Sequence, residues 1–223
     1  MRAEMKRFLL ILGSIVAAIA AVTVAWRKAG QRFALPCPSA IAGVLHLPFR
    51  ESVRGPEAIL DRLDLRPGMT LLDAGCGPGR ISIPAARRVT PGGEVIAFDL
   101  QPAMLAKLEA RAQAEDVPGI RAIQGKLGGG SLPANLCDRA IMSTVLGEVP
   151  DKAAALEEIY RALKPGGILS DTEVFPDPHF LTQSTVRRLA EDAGFRVRAT
   201  FGGPLAFTMH LVKEARAETE QAS

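Results

Sequence analysis

Short apolar runs and helical stretches alternate between residues 69 and 212, and this alternation constrains the fold more than any other feature of the chain. Strands that are regularly separated by helices imply a mostly parallel sheet that helices cover on both faces. The predicted strands are residues 69–74, 94–99, 120–124, 138–143 and 168–174, and the predicted helices are residues 80–89, 102–115, 151–163 and 182–193. Residues 195–201 and 206–212 flank a Gly-Gly-Pro turn and predict a closing antiparallel hairpin. The expected fold is therefore a doubly wound α/β domain with a seven-stranded sheet.

The N-terminal region predicts one transmembrane helix within residues 1–32. Phe8 to Trp26 is a run of 19 residues without a charge, and basic residues flank it at both ends. As a helix this run is about 28 Å long, which suffices to cross a hydrocarbon core of about 30 Å. A cleaved signal peptide is the alternative, because Thr23-Val24-Ala25 is a tolerable cleavage site. We favour the anchor, since the run exceeds the usual apolar region of about 7–15 residues in a signal peptide.

Charge and cysteine content exclude several classes of protein. Residues 1–32 hold six basic residues and one acid, which leaves 21 basic and 23 acidic residues for 33–223, a net charge of −2. The main body therefore does not predict a nucleic-acid partner. Three scattered cysteines predict neither a disulfide framework nor a metal site.

The flanks of the predicted domain, residues 57–213, are expected to differ in role. Residues 33–56 contain prolines at 36, 38, 48 and 56, which exclude a long uninterrupted helix. This segment either caps the domain or forms a lid at the membrane surface over the active-site mouth, with Arg50 and Arg54 towards the ligand. The charged tail, residues 214–223, is expected to be solvated.

A glycine-rich loop after the first predicted strand indicates which cofactor the domain suits. The loop reads Asp73-Ala-Gly-Cys-Gly-Pro-Gly-Arg80, and Asp99 ends the second strand, where a carboxylate can accept hydrogen bonds from ribose hydroxyls. A dinucleotide site requires G-x-G-x-x-G, but here Arg80 stands where the third glycine belongs. Asp73 would repel a pyrophosphate, whereas it can accept hydrogen bonds from an α-ammonium group. A cofactor with an amino-acid end and an adenosine end fits better, which predicts S-adenosylmethionine.

Four motifs resemble those of class I S-adenosylmethionine-dependent methyltransferases, including the methyltransferases of quinone biosynthesis. They are LLDAGCGPGR (71–80), IAFDLQPAML (96–105), VLGEVPD (145–151) and ALKPGGIL (162–169), in the family's order. The resemblance covers roughly residues 56–213 and implies a Rossmann-like fold, methyltransferase activity and S-adenosylmethionine as the cofactor.

The resemblance also implies a set of cofactor-binding residues. Asp73, Gly75, Cys76, Gly77 and Gly79 would line the methionine part of the cofactor, and Asp99 would hold the ribose hydroxyls. Leu100 and Met104 would contact the adenine, although Met104 is equally explained as helix core. Relatives place Gly-Asp after the third strand, but this chain has Gly125-Lys126-Leu127. Either the backbone of Lys126 and Leu127 contacts the adenine instead, or the loop has moved. Ser143, with Thr144 and Val145, would form the floor beneath the sulfonium.

Methyl transfer releases a neutral thioether, so the protein mainly supplies positioning and a dry site, and it needs a general base only for a protonated acceptor. Polar residues near the strand ends are the candidates for this base: Glu148, Asp171, Glu173 and His179. Each of these four residues could instead be a structural or solvated residue. His179 is the leading candidate for the base. Glu148 stands where many relatives carry histidine. Cys76 is not expected to act as a nucleophile, since no histidine is evidently paired with it.

The predicted acceptor is a small apolar or membrane-associated molecule, such as a quinone precursor, a lipid headgroup or a thiol. A soluble metabolite is the alternative within enzymes, and a non-catalytic cofactor-binding assembly factor is the alternative outside them, suggested by Lys126 in place of the usual acid. Three basic residues lie on each side of the anchor, so charge leaves its orientation open. The cytosolic cofactor places the catalytic domain of this single-pass protein on the cytoplasmic side.

Overall fold

The structure is a computed structural model that describes residues 13–14, 55–175 and 177–215. Its strands are β1 (Thr70–Ala74), β2 (Glu94–Asp99), β3 (Ile120–Gln124), β4 (Cys137–Ser143), β5 (Leu163–Val174), β6 (Arg196–Gly203) and β7 (Ala206–Val212). The helices are α1 (Pro56–Arg62), α2 (Ser82–Val89), α3 (Pro102–Ala114), α4 (Lys152–Ala162) and α5 (Gln183–Asp192).

The strands form one seven-stranded sheet in the order β3-β2-β1-β4-β5-β7-β6. The first five strands are parallel, and β7 pairs antiparallel with both β5 and β6. The predicted Rossmann-like architecture with a C-terminal antiparallel hairpin is therefore confirmed. The strand order reverses between β1 and β4. Such folds bind ligands at the carboxyl ends of the strands on either side of this reversal.

The helix boundaries follow local hydrogen bonding. Asp151 caps α4, as predicted, since its carboxylate accepts a hydrogen bond of 3.0 Å from the N–H of Ala154. Thr182 caps α5 in the same way through the N–H of Thr185. Proline stands in the first turn of α3, where its missing N–H costs nothing.

Residues 164–167, which lie between the predicted helix 151–163 and the predicted strand 168–174, belong to β5. β5 begins at Leu163, opposite Cys137, and the register shifts before Arg139 pairs with Ile168. The side chain of Lys164 donates a hydrogen bond of 2.8 Å to Asp138 on β4. The Lys-Pro-Gly-Gly segment is therefore the bulged start of β5. The pattern of apolar residues in the sequence does not reveal this bulge.

Helix α1 is an element that the sequence pattern did not predict. It begins at Pro56, the last residue of the segment 33–56. We read Pro56 as a helix breaker, whereas proline at the first position of a helix favours helix initiation. Ile59, Leu60 and Leu63 bury their side chains in the core that α1 shares with α2.

The sheet carries a core on each face. Alternate residues of β1, β2, β4, β5 and β7 face α4 and α5, where Phe98 and Phe207 are the largest fully buried side chains. The opposite residues of β1 and β2 face α1, α2 and α3. Burial on both faces explains why these strands read as nearly continuous apolar runs.

The described part of the chain contains no helix with both the length and the apolar character that crossing a bilayer requires. The predicted anchor lies outside the described residues except for residues 13 and 14, and so do the segment 33–54, with Arg50 and Arg54, and residues 216–223. These assignments remain predictions.

Candidate active site

The predicted cofactor residues meet at one edge of the sheet. β1 lies between β2 and β4, and β3 pairs with β2, all parallel, so their carboxyl ends adjoin. The loops that leave these ends are residues 75–81, 100–101, 125–132 and 144–151. The structure thus brings together residues that lie up to about 70 positions apart in the sequence.

Asp73 lies beneath the glycine loop rather than in open solvent. Its carboxylate accepts a hydrogen bond of 2.6 Å from the hydroxyl of Ser82, the first residue of α2. Burial raises the pKa of Asp73 to about 6, against the opposing effects of Ser82 and Arg80. Asp73 therefore ties the start of α2 to β1, and Ser82 is a site residue that the sequence pattern did not identify.

The outer glycines of the loop allow close packing, and the central one faces free space. A Cβ on Gly75 would lie 2.4 Å from Cγ2 of Val145, and one on Gly79 would lie 2.9 Å from Cγ of Leu108. A Cβ on Gly77, by contrast, would meet no atom within 4 Å. Gly75 and Gly79 therefore seat the loop, while the backbone of Gly77 faces free space at the carboxyl end of β1.

Asp99 holds the loop from the neighbouring strand. One carboxylate oxygen accepts the N–H of Gly77 and the other accepts the N–H of Gln101, both at 2.8 Å. A carboxylate offers about four acceptor sites, so each oxygen keeps capacity for another hydrogen bond. Asp99 is 8% exposed. It can therefore hold the loop and accept ribose hydroxyls at the same time.

Helix α3 braces the loop from outside. Arg111 donates a hydrogen bond of 3.0 Å to the carbonyl of Pro78, and Leu108 packs against Gly79. Arg111 also pairs with Glu115 one turn along the helix. This support was not predicted, because an exposed arginine in a charged helix carries no sequence signal that distinguishes it.

Three further predicted residues near the loop have contrasting environments. Burial, followed by the charges of Asp73 and Asp99, raises the pKa of the Cys76 thiol far above its usual range, so no thiolate forms. Leu100 is 52% exposed beside Asp99 and is available to an adenine ring. Met104 is 4% exposed, which favours the alternative that it is core of α3.

The loop after β3 is fixed by a residue that the sequence analysis did not single out. The buried carboxylate of Glu158 accepts the N–H of Gly128 at 2.6 Å and that of Leu132 at 2.9 Å. Leu127 is buried, and Lys126 is exposed with its carbonyl bound to the N–H of Gly129. Glu158 could have been found as an acid three residues after Ala155, a spacing that places both residues on one face of a helix.

The end of β4 carries the residues that were predicted to form the floor beneath the sulfonium. Ser143 has a buried hydroxyl with no hydrogen-bond partner among the described residues. Thr144 adopts a left-handed conformation with φ of 59°, which is unusual for a non-glycine residue and is typical of functional sites. Val145 lies against Gly75. A buried unpaired hydroxyl beside the glycine loop fits a polar ligand at this position.

The two candidate bases lie on adjacent loops. A Cβ on Gly147 would lie 1.9 Å from the carbonyl oxygen of His179, so the chain segments that carry Glu148 and His179 touch. The N–H of His179 donates to Asp177 at 2.8 Å, and its side chain is 7% exposed. Glu148 is partly buried. The structure therefore places both candidates at the same end of the sheet as the cofactor loops.

Asp171 and Glu173, the other candidate bases, point into the core that α4 and α5 cover. They pair in register with Met209 and Phe207 of β7, which belong to that core. Burial raises the pKa of Asp171 to about 7, and burial together with Asp171 raises that of Glu173 to about 9. Both are therefore poor candidates for a base in the cleft, since their side chains face the interior.

Comparison with known proteins identifies the domain type. Residues 71–167 match a family model described as a methyltransferase domain. An uncharacterized 37.1 kDa protein in transposon TN4556 of Streptomyces fradiae is 33% identical over 77% of this chain and 56% of its own. A demethylmenaquinone methyltransferase of Geobacillus sp. (strain WCH70) is 31% identical over 53% of this chain and 51% of its own. The chain thus spans about half the length of these curated relatives.

A solved structure agrees with the fold. The SAM-dependent methyltransferase from Aquifex aeolicus superposes with a TM-score of 0.72 at 24% identity, over 80% of this chain and 100% of that one. At this level of identity the likeness shows the fold alone.

Proposed function

The chain contains a class I S-adenosylmethionine-dependent methyltransferase domain, and on that premise we propose that it methylates a small apolar or membrane-associated acceptor. The observation that supports cofactor use is the pair of hydrogen bonds by which Asp99 holds Gly77 and Gln101 at the mouth of the cleft. This arrangement leaves the backbone of Gly77 uncovered and an acidic acceptor beside it.

The residues present fit S-adenosylmethionine. Gly77 provides the bare backbone, Asp99 the acceptor for ribose hydroxyls and Leu100 an exposed apolar surface for adenine. When bound, the cofactor supplies the methyl group of its sulfonium. Transfer of this methyl group leaves a neutral thioether. The buried hydroxyl of Ser143 and the side chain of Val145 would then line the site below it and exclude water.

The reaction requires a base only if the acceptor arrives protonated. We assign this role to His179, with Glu148 as the second candidate, because their loops touch at the cofactor end of the sheet. Neither group needs to protonate the leaving thioether, since that group is neutral.

The membrane part of the proposal rests on the sequence of residues 8–26. A 19-residue uncharged run confines the domain to the bilayer surface, where an acceptor dissolved in the membrane is concentrated. The demethylmenaquinone methyltransferases among the relatives act, by their name, on a quinone precursor, which agrees with this class of acceptor. We place the domain on the cytoplasmic side, where the cofactor is made.

The experiment uses the full chain in detergent, S-adenosylmethionine with a labelled methyl group and a total extract of the source cells. We expect label in the organic phase, and less of it with the Asp99→Ala variant when the cofactor concentration is limiting. Label confined to the aqueous phase would contradict an apolar acceptor and favour a soluble metabolite. Cofactor binding by calorimetry without any transferred label would contradict methyl transfer to an acceptor in the extract and favour the non-catalytic binding factor, which Lys126 suggests.

Replacing Asp99 tests the cofactor site itself. Asp99→Ala removes the ribose acceptor and also releases the N–H groups of Gly77 and Gln101, so we expect cofactor affinity to fall by about 1–3 kcal/mol. Isothermal titration calorimetry measures this loss. Glu109→Ala, which removes an exposed carboxylate from α3, is the matched control and should bind normally. Equal affinities of the Asp99→Ala variant and the unmodified chain would contradict the ribose assignment.

A further inference from the structure

The exposed apolar side chains of the domain share one edge of the sheet. Among the described residues, Leu100, Phe175 and Leu205 are the large apolar side chains that are exposed, at 52%, 51% and 60%. Leu100 follows β2, and Phe175 follows β5. Leu205 lies in the turn between β6 and β7, which is at the same edge because β5 and β6 are both antiparallel to β7. This is also the edge at which the cofactor loops lie.

Leu100 is accounted for by the proposed adenine contact, but Phe175 and Leu205 are not. These two residues, the apolar rim, are neighbours, since the N–H of Phe175 donates to the carbonyl of Leu205 at 2.7 Å. The ring of Phe175 packs edge-on against Phe180, which in turn packs against Phe207 in the core. The rim is therefore presented to solvent from a well-packed base.

Basic side chains border the apolar rim. A shallow groove beside it is lined by Pro204, adjacent to Leu205, by Arg187 and Arg188 of α5, and by Glu191. The two guanidinium groups lie 3.7 Å and 3.5 Å from Glu191 and Asp192, in solvent-exposed pairs that contribute little energy. Apolar side chains flanked by arginines match the apolar interior and anionic headgroups of a bilayer surface.

We propose that the apolar rim docks on an anionic bilayer surface and so turns the mouth of the cofactor cleft towards the lipid. The inference rests on the proposed membrane location and specifies which face of the domain meets the membrane. Chain length permits it, because the 27 residues between Arg27 and Gly55 can span at most about 100 Å. An acceptor dissolved in the bilayer would then enter the cleft without crossing water.

The test places a tryptophan at the rim of the full chain. Trp26, the only native tryptophan, is replaced with phenylalanine, and Leu205→Trp is introduced. The matched control carries Pro118→Trp, an exposed position just before β3 at the opposite edge of the sheet. Each variant is reconstituted in vesicles of phosphatidylcholine with phosphatidylglycerol, with and without brominated acyl chains, and tryptophan emission is recorded.

We expect blue-shifted emission and severalfold stronger quenching by brominated lipid for Leu205→Trp than for Pro118→Trp. The difference should shrink when Arg187 and Arg188 are both replaced with glutamine. Equal quenching at the two positions, or none at Leu205→Trp, would overturn the docking proposal. If the chain does not stay with the vesicles at all, the proposed membrane location itself is wrong, and label transfer in detergent still tests the methyltransferase proposal independently.

Discussion

Replacing Glu173 with glutamine is expected to make the folded chain more stable at neutral and alkaline pH. Burial and the neighbouring Asp171 raise the pKa of Glu173 from 4.5 to about 9 in the folded chain. Between these values the folded state holds a proton that the unfolded state has released, so the free energy of unfolding falls as pH rises through this window. The fall is at most roughly 1.4 kcal/mol per pH unit.

Glutamine removes this pH dependence while keeping the hydrogen bond. Its amide oxygen can still accept the N–H of Leu181, which Glu173 now accepts at 3.1 Å. Denaturant unfolding followed by circular dichroism, from pH 5 to pH 9 in detergent, should show a flatter profile than the unmodified chain. Glu157→Gln, an exposed change on α4, is the control and should leave the profile unchanged. A pH profile as steep as that of the unmodified chain would contradict the raised pKa of Glu173.

The parts of the fold that the sequence predicted are those that depend on local chemistry. Strand and helix periods, the cap at Asp151 and the glycine loop are each determined by a few neighbouring residues. Their order then restricts the topology, since parallel strands joined by helices require right-handed crossovers. This is why a single sequence was sufficient to predict a mostly parallel seven-stranded sheet.

The features that the sequence did not predict depend on partners that are distant along the chain. The bulged start of β5 is stabilised by Lys164 with Asp138, 26 residues away. The role of Glu158 depends on N–H groups 26 and 30 residues away, and that of Arg111 on a carbonyl 33 residues away. For Asp171 and Glu173, a position near a strand end suggested a role in the cleft, whereas strand alternation turns both side chains into the core.

Substitution of Gly75, compared with companion variants, distinguishes the effect of loop packing from the effect of cofactor contact. Gly75→Ala is expected to destabilise the fold and abolish tight cofactor binding, because φ of 77° costs an L-residue about 1–2 kcal/mol. The new Cβ would also meet Val145 at 2.4 Å, and overpacking of this kind costs a further ~1–3 kcal/mol. Unfolding in denaturant and titration calorimetry measure the two effects.

Three companion variants divide the effect of Gly75→Ala into its causes. Gly130→Ala has the same φ of 77° with no atom near its Cβ, so it should show the backbone cost alone and bind cofactor normally. Gly77→Ala places a Cβ in open space at the cleft. This variant should be more stable than Gly75→Ala, but its cofactor binding should also be weak. Adding Val145→Ala to Gly75→Ala removes the two colliding methyl groups and should recover part of the stability. If Gly77→Ala binds as tightly as the unmodified chain, the cofactor does not press against this loop, because the added Cβ would lie directly in its path.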